Sequence, residues 1–312
     1  MKIGYIFPGQ GTQTVGMGKD IYDKYEEVRN IYSRVDKALS ESVEDITYNI
    51  SQEELNQTKN TQIAIYTMSL SILEILNKAG IKPVAAAGLS LGEYTALTCA
   101  NAISVEEGSK IVRIRGRLMQ DLAPQGDWAM AAIIGMEDEK VEEVCSKVEK
   151  GFVKAVNYNC PGQVVVSGEK EAVQRAMEIA KEMGARKAIE LKTSGPFHTE
   201  KLKEASVELR KELEKIAFNK CEISVIKNFD GTPYTDEDDM VNILANHVIN
   251  PVKFRKSIET MLDMGVDTFV EVGPGKTLSG FVKKVCREKG VEVTILNIEN
   301  VETLENAMQI LK

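Results

Sequence analysis

Val84-Ala85-Ala86-Ala87-Gly88-Leu89-Ser90-Leu91-Gly92-Glu93-Tyr94 reads as an apolar strand that turns on small residues into a helix carrying Ala96, Leu97 and Ala100. Ser90 sits at the turn. Gly-x-Ser-x-Gly between a strand and a helix is the nucleophile elbow, in which a cramped turn exposes a serine hydroxyl at the carboxyl edge of a sheet. Gly88 and Gly92 lack the Cβ atoms that would collide where strand and helix cross, and the start of the helix offers free amides and positive potential to a developing anion. That setting suits acyl chemistry. The five-residue pattern alone does not settle it, so the elbow needs partners elsewhere in the chain.

Working outward, Ile3 to Phe7 reads as a buried strand that breaks at Pro8-Gly9-Gln10-Gly11-Thr12-Gln13. This loop has no lysine and not the spacing of a phosphate-binding loop, so nucleotide binding is not expected. Helical patterns follow at about Lys19 to Leu39 and at Thr61 to Ala79, where Ile63, Tyr66, Leu70, Leu73 and Leu76 recur on one face before Gly80. Ser104 to Leu122 reads as a helix opened by a serine cap with Glu107 three residues on. It sets Arg113 and Arg117 on one side and Arg115 on another.

After Ala123-Pro124-Gln125-Gly126-Asp127 the units become shorter. Trp128 to Gly135 reads as a strand, Glu137 to Glu149 as a helix, Phe152 to Tyr158 and Gln163 to Gly168 as a strand pair, Lys170 to Met183 as a helix and Arg186 to Lys192 as a strand. The order βαββαβ is that of a ferredoxin-like split unit. The expected class is therefore α/β, with a large discontinuous domain at 1–127 and 194–312 and a small ferredoxin-like domain at 128–193. In the second half the pattern gives a charged helix from Thr199 to Ile216, strands at Ile223 to Ile226, Thr268 to Val272 and Val293 to Asn297, and helices at Asp238 to Asn246, Val252 to Met264, Thr277 to Glu288 and Val301 to Leu311.

The chain has 312 residues, 43% of them hydrophobic, enough for a sizeable core. No run approaches a membrane span and the amino terminus carries no signal-peptide pattern, so a cytoplasmic protein is expected. A net charge of −8 argues against general nucleic-acid binding. Cys99, Cys145, Cys160, Cys221 and Cys286 are odd in number and without Cys-x-x-Cys spacing, which points to reduced thiols and no metal site. Burial is the expected role of Cys160.

A serine needs a base, and histidine is the usual one. The sequence offers two. His198, in a Pro-containing loop at the domain boundary, is the expected base; His247, in Asn246-His247-Val248-Ile249-Asn250-Pro251, reads as structural. Asp230, before a glycine, is a conceivable third member of a triad and equally a turn residue.

Several motifs together resemble the malonyl-CoA:acyl carrier protein transacylases of fatty-acid synthesis. They are Pro8-Gly9-Gln10-Gly11, Gly88-Leu89-Ser90-Leu91-Gly92-Glu93-Tyr94, Arg115-Gly116-x-x-Met119-Gln120, Asn157-x-Asn159-x-Pro161-Gly162-Gln163, Pro196-Phe197-His198, Asn250-Pro251-Val252 and Glu271-Val272-Gly273-Pro274-Gly275. The resemblance runs from end to end and implies an α/β-hydrolase-like core with a ferredoxin-like insertion. It implies Ser90 as nucleophile, His198 as base, the amides of Gln10 and Leu91 as oxyanion hole, and Arg115 as the grip on a substrate carboxylate. Gln10, Asn159 and Phe197 are implied at the substrate, and the carbonyl of His247 as the group orienting the base.

The implied reaction is ping-pong malonyl transfer from malonyl-CoA to the phosphopantetheine thiol of acyl carrier protein, by a monomer, with no cofactor. The competing readings are a serine hydrolase or thioesterase with the same elbow, an acyltransferase of a polyketide pathway, and a non-catalytic carrier-protein docking module. An acidic carrier would meet a basic patch drawn from Arg113, Arg117, Lys187 or Lys192. Two departures from the family stand out. Leu89 replaces a frequent histidine, and His247 replaces a common glutamine, which leaves His247 as a rival titrating group.

Overall fold

The computed structural model describes residues 1–192 and 195–312, and its chain order runs as follows. Strand β1 (Ile3–Phe7) leads to helices α1 (Lys19–Lys24), α2 (Glu26–Leu39), α3 (Val43–Tyr48), α4 (Gln52–Leu55) and α5 (Thr58–Lys78). Then come β2 (Ala85–Gly88), α6 (Gly92–Cys99), α7 (Val105–Asp121), β3 (Trp128–Ile134), α8 (Asp138–Ser146), β4 (Val153–Cys160), β5 (Gln163–Glu169), α9 (Lys170–Glu182) and β6 (Lys187–Glu190). The remainder is α10 (Lys203–Leu213), β7 (Ser224–Ile226), α11 (Met240–His247), α12 (Phe254–Asp263), β8 (Thr268–Val272), α13 (Thr277–Lys289), β9 (Thr294–Ile298) and α14 (Val301–Leu311).

Two sheets result. The larger is parallel throughout, in the order β7-β2-β1-β8-β9. A parallel sheet is covered on both faces, which is why β1 and β8 read as continuous apolar runs. Tyr5, Phe7, Ala86 and Val270 pack under α5, α6 and α7, whereas Ile6, Ala87 and Phe269 pack against Phe254, Ile258, Phe281 and Val282 of α12 and α13. The smaller sheet is antiparallel, in the order β4-β5-β3-β6, and α8 and α9 cover one face through Val141, Val144, Val173 and Ala176. Its strands and helices follow the βαββαβ order read from the sequence. The 193/194 boundary between the expected domains lies outside the described residues.

The sheets are joined by backbone. Tyr158 N–H in β4 donates to Val252 carbonyl at 2.8 Å, and Val252 N–H returns a bond to Val156 carbonyl at 2.8 Å. The segment just before α12 is thus an extra rung on the small sheet.

Three expectations need correction. The helix expected over Lys19–Leu39 is broken at Tyr25, whose extended backbone (φ −112°, ψ 125°) separates α1 from α2. Helix α5 is not amphipathic but buried over 16 of its 21 residues, because it runs beneath the sheet and is overlaid by α2 and α7. Two of its hydroxyls are satisfied within the helix, Thr67 Oγ1 donating to Ile63 carbonyl and Ser71 Oγ to Thr67 carbonyl, both at 2.8 Å, and Thr61 Oγ1 donates to the Leu55 carbonyl of α4. The charged helix expected from Thr199 begins as a single tight turn, Glu200–Leu202, before α10.

Candidate active site

Strand β2 consists of three alanines and a glycine, poor strand formers retained because α6 crosses directly over them. A Cβ on Gly88 would lie 1.9 Å from the Gly92 carbonyl carbon, and one on Gly92 would lie 2.1 Å from the Phe7 carbonyl oxygen. Neither position admits a side chain. The turn between them forces Ser90 into the left-handed region at φ 54°, a strain of about 1–2 kcal/mol for a residue with a Cβ. The strained turn lifts the hydroxyl into a cavity of about 680 Å³ between the two sheets.

His198 meets it there. Ser90 Oγ lies 2.8 Å from His198 Nε2, and His198 Nδ1 faces two carbonyl oxygens, His247 at 3.0 Å and Asn250 at 3.1 Å. Two carbonyls can only accept, so the ring proton resides on Nδ1 and Nε2 is left to accept the serine proton. Burial, reinforced by the Arg115 charge, pushes His198 down to about 4, which keeps the imidazole neutral and proton-accepting at neutral pH. Among the described residues no carboxylate completes a triad. Asp230 Oδ1 instead accepts from Thr232 N–H at 2.9 Å and Thr232 Oγ1 at 2.8 Å, the turn role open to an Asp before Gly.

Arg115 is fully buried. Its Nη1 donates to Gln62 Oε1 at 2.7 Å, its Nη2 to Ser90 Oγ at 3.0 Å, and its guanidinium carbon stands 5.4 Å from the centre of the Tyr94 ring. Among the described residues Nε has no partner. A buried guanidinium with only neutral groups in direct contact is an anion receptor, since a carboxylate would supply the charge and paired acceptors it lacks.

The backbone amides of Gln10 and Leu91 have no acceptor among the described residues. Gly9 presses against the elbow, where a Cβ would meet the Leu89 carbonyl oxygen at 2.4 Å, and so brings the loop after β1 beside Ser90. Two free amides next to a nucleophile have the composition of an oxyanion hole. Gln10, Leu89, Leu91, Asn157, Asn159 and Phe197 line the same cavity, with Lys192 at its rim. The structure thus brings together Ser90, His198, Arg115, Gln10, Leu91, Asn159 and Phe197, while His247 contributes its carbonyl.

Other expectations fare differently. The His247 ring is buried with neither nitrogen hydrogen-bonded among the described residues, although Nδ1 lies 3.5 Å from Glu93 Oε2, and burial holds it well below the ordinary histidine range, so it is neutral. Arg113 is no docking residue: it is buried and held by Glu41, Lys59 carbonyl and Asn60 Oδ1. Arg117 shares Glu41, and Cys160 is buried outside the cavity.

The sequence reading missed Glu93, Asn228, Tyr234 and Gln62. Glu93 is a buried carboxyl that accepts from Tyr234 OH at 2.6 Å and from Asn228 N–H at 3.2 Å, and burial raises it to about 7. Its place immediately after the second elbow glycine was the one available signal.

Comparison with known proteins agrees with this geometry. The acyl transferase domain model matches residues 4–308. A malonyl CoA-acyl carrier protein transacylase of Bacillus subtilis is 40% identical over 313 aligned residues, covering 100% of this chain and 98% of the relative, and one from Escherichia coli K12 is 40% identical over 91% of this chain and 93% of its own. The crystal structure of such a transacylase from Clostridium perfringens superposes with a TM-score of 0.94 at 43% identity, over 100% of this chain and 97% of that one. A malonyl-transacylase solved in complex with its type II PKS acyl carrier protein gives a TM-score of 0.94 at 33% identity, over 99% and 100% of the two chains. By its family model, its full-length relatives and its fold, the chain belongs to the acyl transferase family and, within it, to the malonyl-CoA:acyl carrier protein transacylases.

Proposed function

We propose that the chain transfers a malonyl group from malonyl-CoA to the phosphopantetheine thiol of an acyl carrier protein, by way of an acyl-enzyme on Ser90, and so supplies extender units for fatty-acid synthesis. The observation that carries this reading is Arg115, a wholly buried cation whose Nη2 touches the Ser90 hydroxyl. A hydrolase of neutral esters gains nothing from an arginine there. A substrate with a free carboxylate one carbon from its thioester needs one.

In the first half-reaction His198 Nε2 takes the Ser90 proton as Oγ attacks the thioester carbonyl. The amides of Gln10 and Leu91 hold the oxyanion, each contributing on the order of 3 kcal/mol. The tetrahedral adduct collapses, CoA leaves as thiol with the proton from His198, and the malonyl carboxylate stays paired to Arg115. The second half runs the same steps in reverse with the carrier thiol as nucleophile, His198 first removing its proton. Asn159 and Phe197 are proposed to contact the substrate from the cavity wall.

The strand, serine turn and helix support describing the larger unit (1–127 and 194–312) as α/β-hydrolase-like, and the strand order of the smaller (128–193) supports a ferredoxin-like fold. We read the protein further as a cytoplasmic monomer that works without a cofactor; no helix among the described residues is long and apolar enough to cross a membrane. The test is intact mass after mixing with malonyl-CoA, then with carrier protein. A malonyl adduct discharged by the carrier thiol and stable in water supports transfer, whereas discharge by water alone makes the chain a hydrolase.

A further inference from the structure

Asn228 is wholly buried in the loop that follows β7, and its four polar groups are all engaged. Its Oδ1 accepts the Ser90 N–H at 2.7 Å and its Nδ2 donates to the Gly88 carbonyl at 2.6 Å. Its own N–H donates to Glu93 Oε2 at 3.2 Å, and its carbonyl accepts the Lys253 N–H at 2.8 Å. Two of these bonds end on the elbow and a third on Glu93, immediately after it in α6. The fourth ends on the segment whose His247 and Asn250 carbonyls hold the His198 ring.

A carboxamide is a side-chain copy of a peptide group, with one donor edge and one acceptor edge. The left-handed turn at Ser90 removes its N–H from the strand ladder before the helix has begun, and the Gly88 carbonyl lies two residues back on the same turn. The Asn228 side chain closes both at once. Its backbone then ties that turn to the stretch that orients the base. Glu93, held by Tyr234, fixes Asn228 from the helix side.

We propose that Asn228 is a positioning residue that holds the strained elbow and sets the distance and angle between Ser90 and His198. The proposal rests on the reading of those two residues as nucleophile and base. Loss of the carboxamide frees the Ser90 peptide to relax out of the left-handed region, and the hydroxyl then drifts from Nε2 while the cavity that binds malonyl-CoA stays in place.

Asn228→Ala in the full chain tests this by single-turnover acylation with malonyl-CoA. The saturating rate constant is expected to fall by about 30-fold or more while the half-saturating concentration changes by less than about threefold. A rate constant within about threefold of the parent's overturns the proposal. A second arm needs no activity: unfolding midpoints of the parent, Asn228→Ala, Ser90→Gly and the double variant. Glycine adopts the left-handed region freely, so the loss caused by Asn228→Ala is expected to shrink by about half or more in the Ser90→Gly background. Equal losses in both backgrounds overturn the strain-holding role.

If the alanine variant does not fold, Asn228→Asp retains the acceptor for Ser90 N–H but presents a second oxygen to the Gly88 carbonyl. Its acylation rate relative to the parent is expected to rise between about pH 8 and about pH 6 as the buried carboxyl takes up the missing proton. A flat ratio overturns a role for the Gly88 bond. A parent chain that forms no adduct on Ser90 would instead remove the functional reading, and the unfolding cycle would still decide the clamp.

Discussion

Ser90 and His198, 108 positions apart in sequence, meet at 2.8 Å, and each adopts left-handed backbone, with φ of 54° and 60°. Both reactive side chains therefore stand on strained turns that rigid neighbours hold in place. The serine turn is fixed by two glycines and Asn228, the histidine turn by its own N–H bond to Val248 carbonyl at 3.0 Å. Strain of this kind persists where the surroundings over-determine it, and it presents a side chain without the freedom of a loop.

Ser90→Ala is expected to abolish the malonyl adduct and to lower transfer by several orders of magnitude, with an unfolding midpoint close to the parent's. One half-buried hydroxyl carries the chemistry and little packing. Intact mass after incubation with malonyl-CoA reads the first effect and thermal unfolding the second. Near-parental transfer by the alanine chain would refute the elbow mechanism.

Arg115→Ala should change specificity as well as rate. Malonyl brings a carboxylate that must leave water, and the guanidinium offsets that cost; an acetyl thioester leaves the same guanidinium unpaired. Acylation by malonyl-CoA is expected to lose about 2–4 kcal/mol of transition-state stabilisation and acetyl-CoA much less. Parallel rate measurements with the two thioesters check it, and equal losses would remove the carboxylate role.

The two histidines make opposite contributions from Glu93 to the pH dependence of stability. Burial holds His198 at about 4 and His247 well below its ordinary value, so between about pH 6.5 and those lower values the unfolded chain takes protons that the folded chain refuses. Their effect is stability lost as pH falls. Glu93, raised to about 7, binds its proton more tightly when folded, so its effect is stability lost as pH rises toward 7. His247→Gln removes one of the two histidine terms and keeps the backbone carbonyl that faces His198. Its unfolding free energy is expected to drop less than the parent's as pH falls from about 7.5 to about 5.5, with most of the transfer activity retained. Urea titrations at the two pH values decide it, and parallel losses would contradict the assignment. His198→Ala, by contrast, is expected to cripple acylation.

Gly88→Ala is expected to cost more than about 3 kcal/mol, because the added Cβ would sit 1.9 Å from backbone that cannot step aside. Soluble yield and urea midpoint measure the cost. A fully stable alanine chain would mean that α6 can move away from β2.

The parts of the fold legible in the sequence were those whose period or punctuation is local. β8 and α14 fall at the residues their apolar patterns marked, Thr268–Val272 and Val301–Leu311. The short helices α3 and α4 went unread although Ser51 and Glu54 form a capping box in plain view, because each is too brief to build a periodic stripe. Ser90 and His198 were legible because their chemistry demands rare residues in marked turns. Asn228 and Gln62 were not, since an asparagine in a turn and a glutamine in a helix look alike whether they face solvent or a reacting centre. Arg115 could be set apart from Arg113 by helical phase. That both are buried, one against Glu41 and the other under the elbow, follows only from tertiary packing.

The Val252 rung on β4 bears on how this enzyme can be re-engineered. Exchanging residues of the small sheet for those of a relative, to recruit a different acyl group or carrier, also exchanges the strand that anchors the 247–253 stretch, and with it the seat of the imidazole. A chimaera should therefore carry both sides of that junction, 156–158 and 250–253, from one parent. A graft that respects only the cavity lining would bring in a new wall and leave the base without its hinge pin.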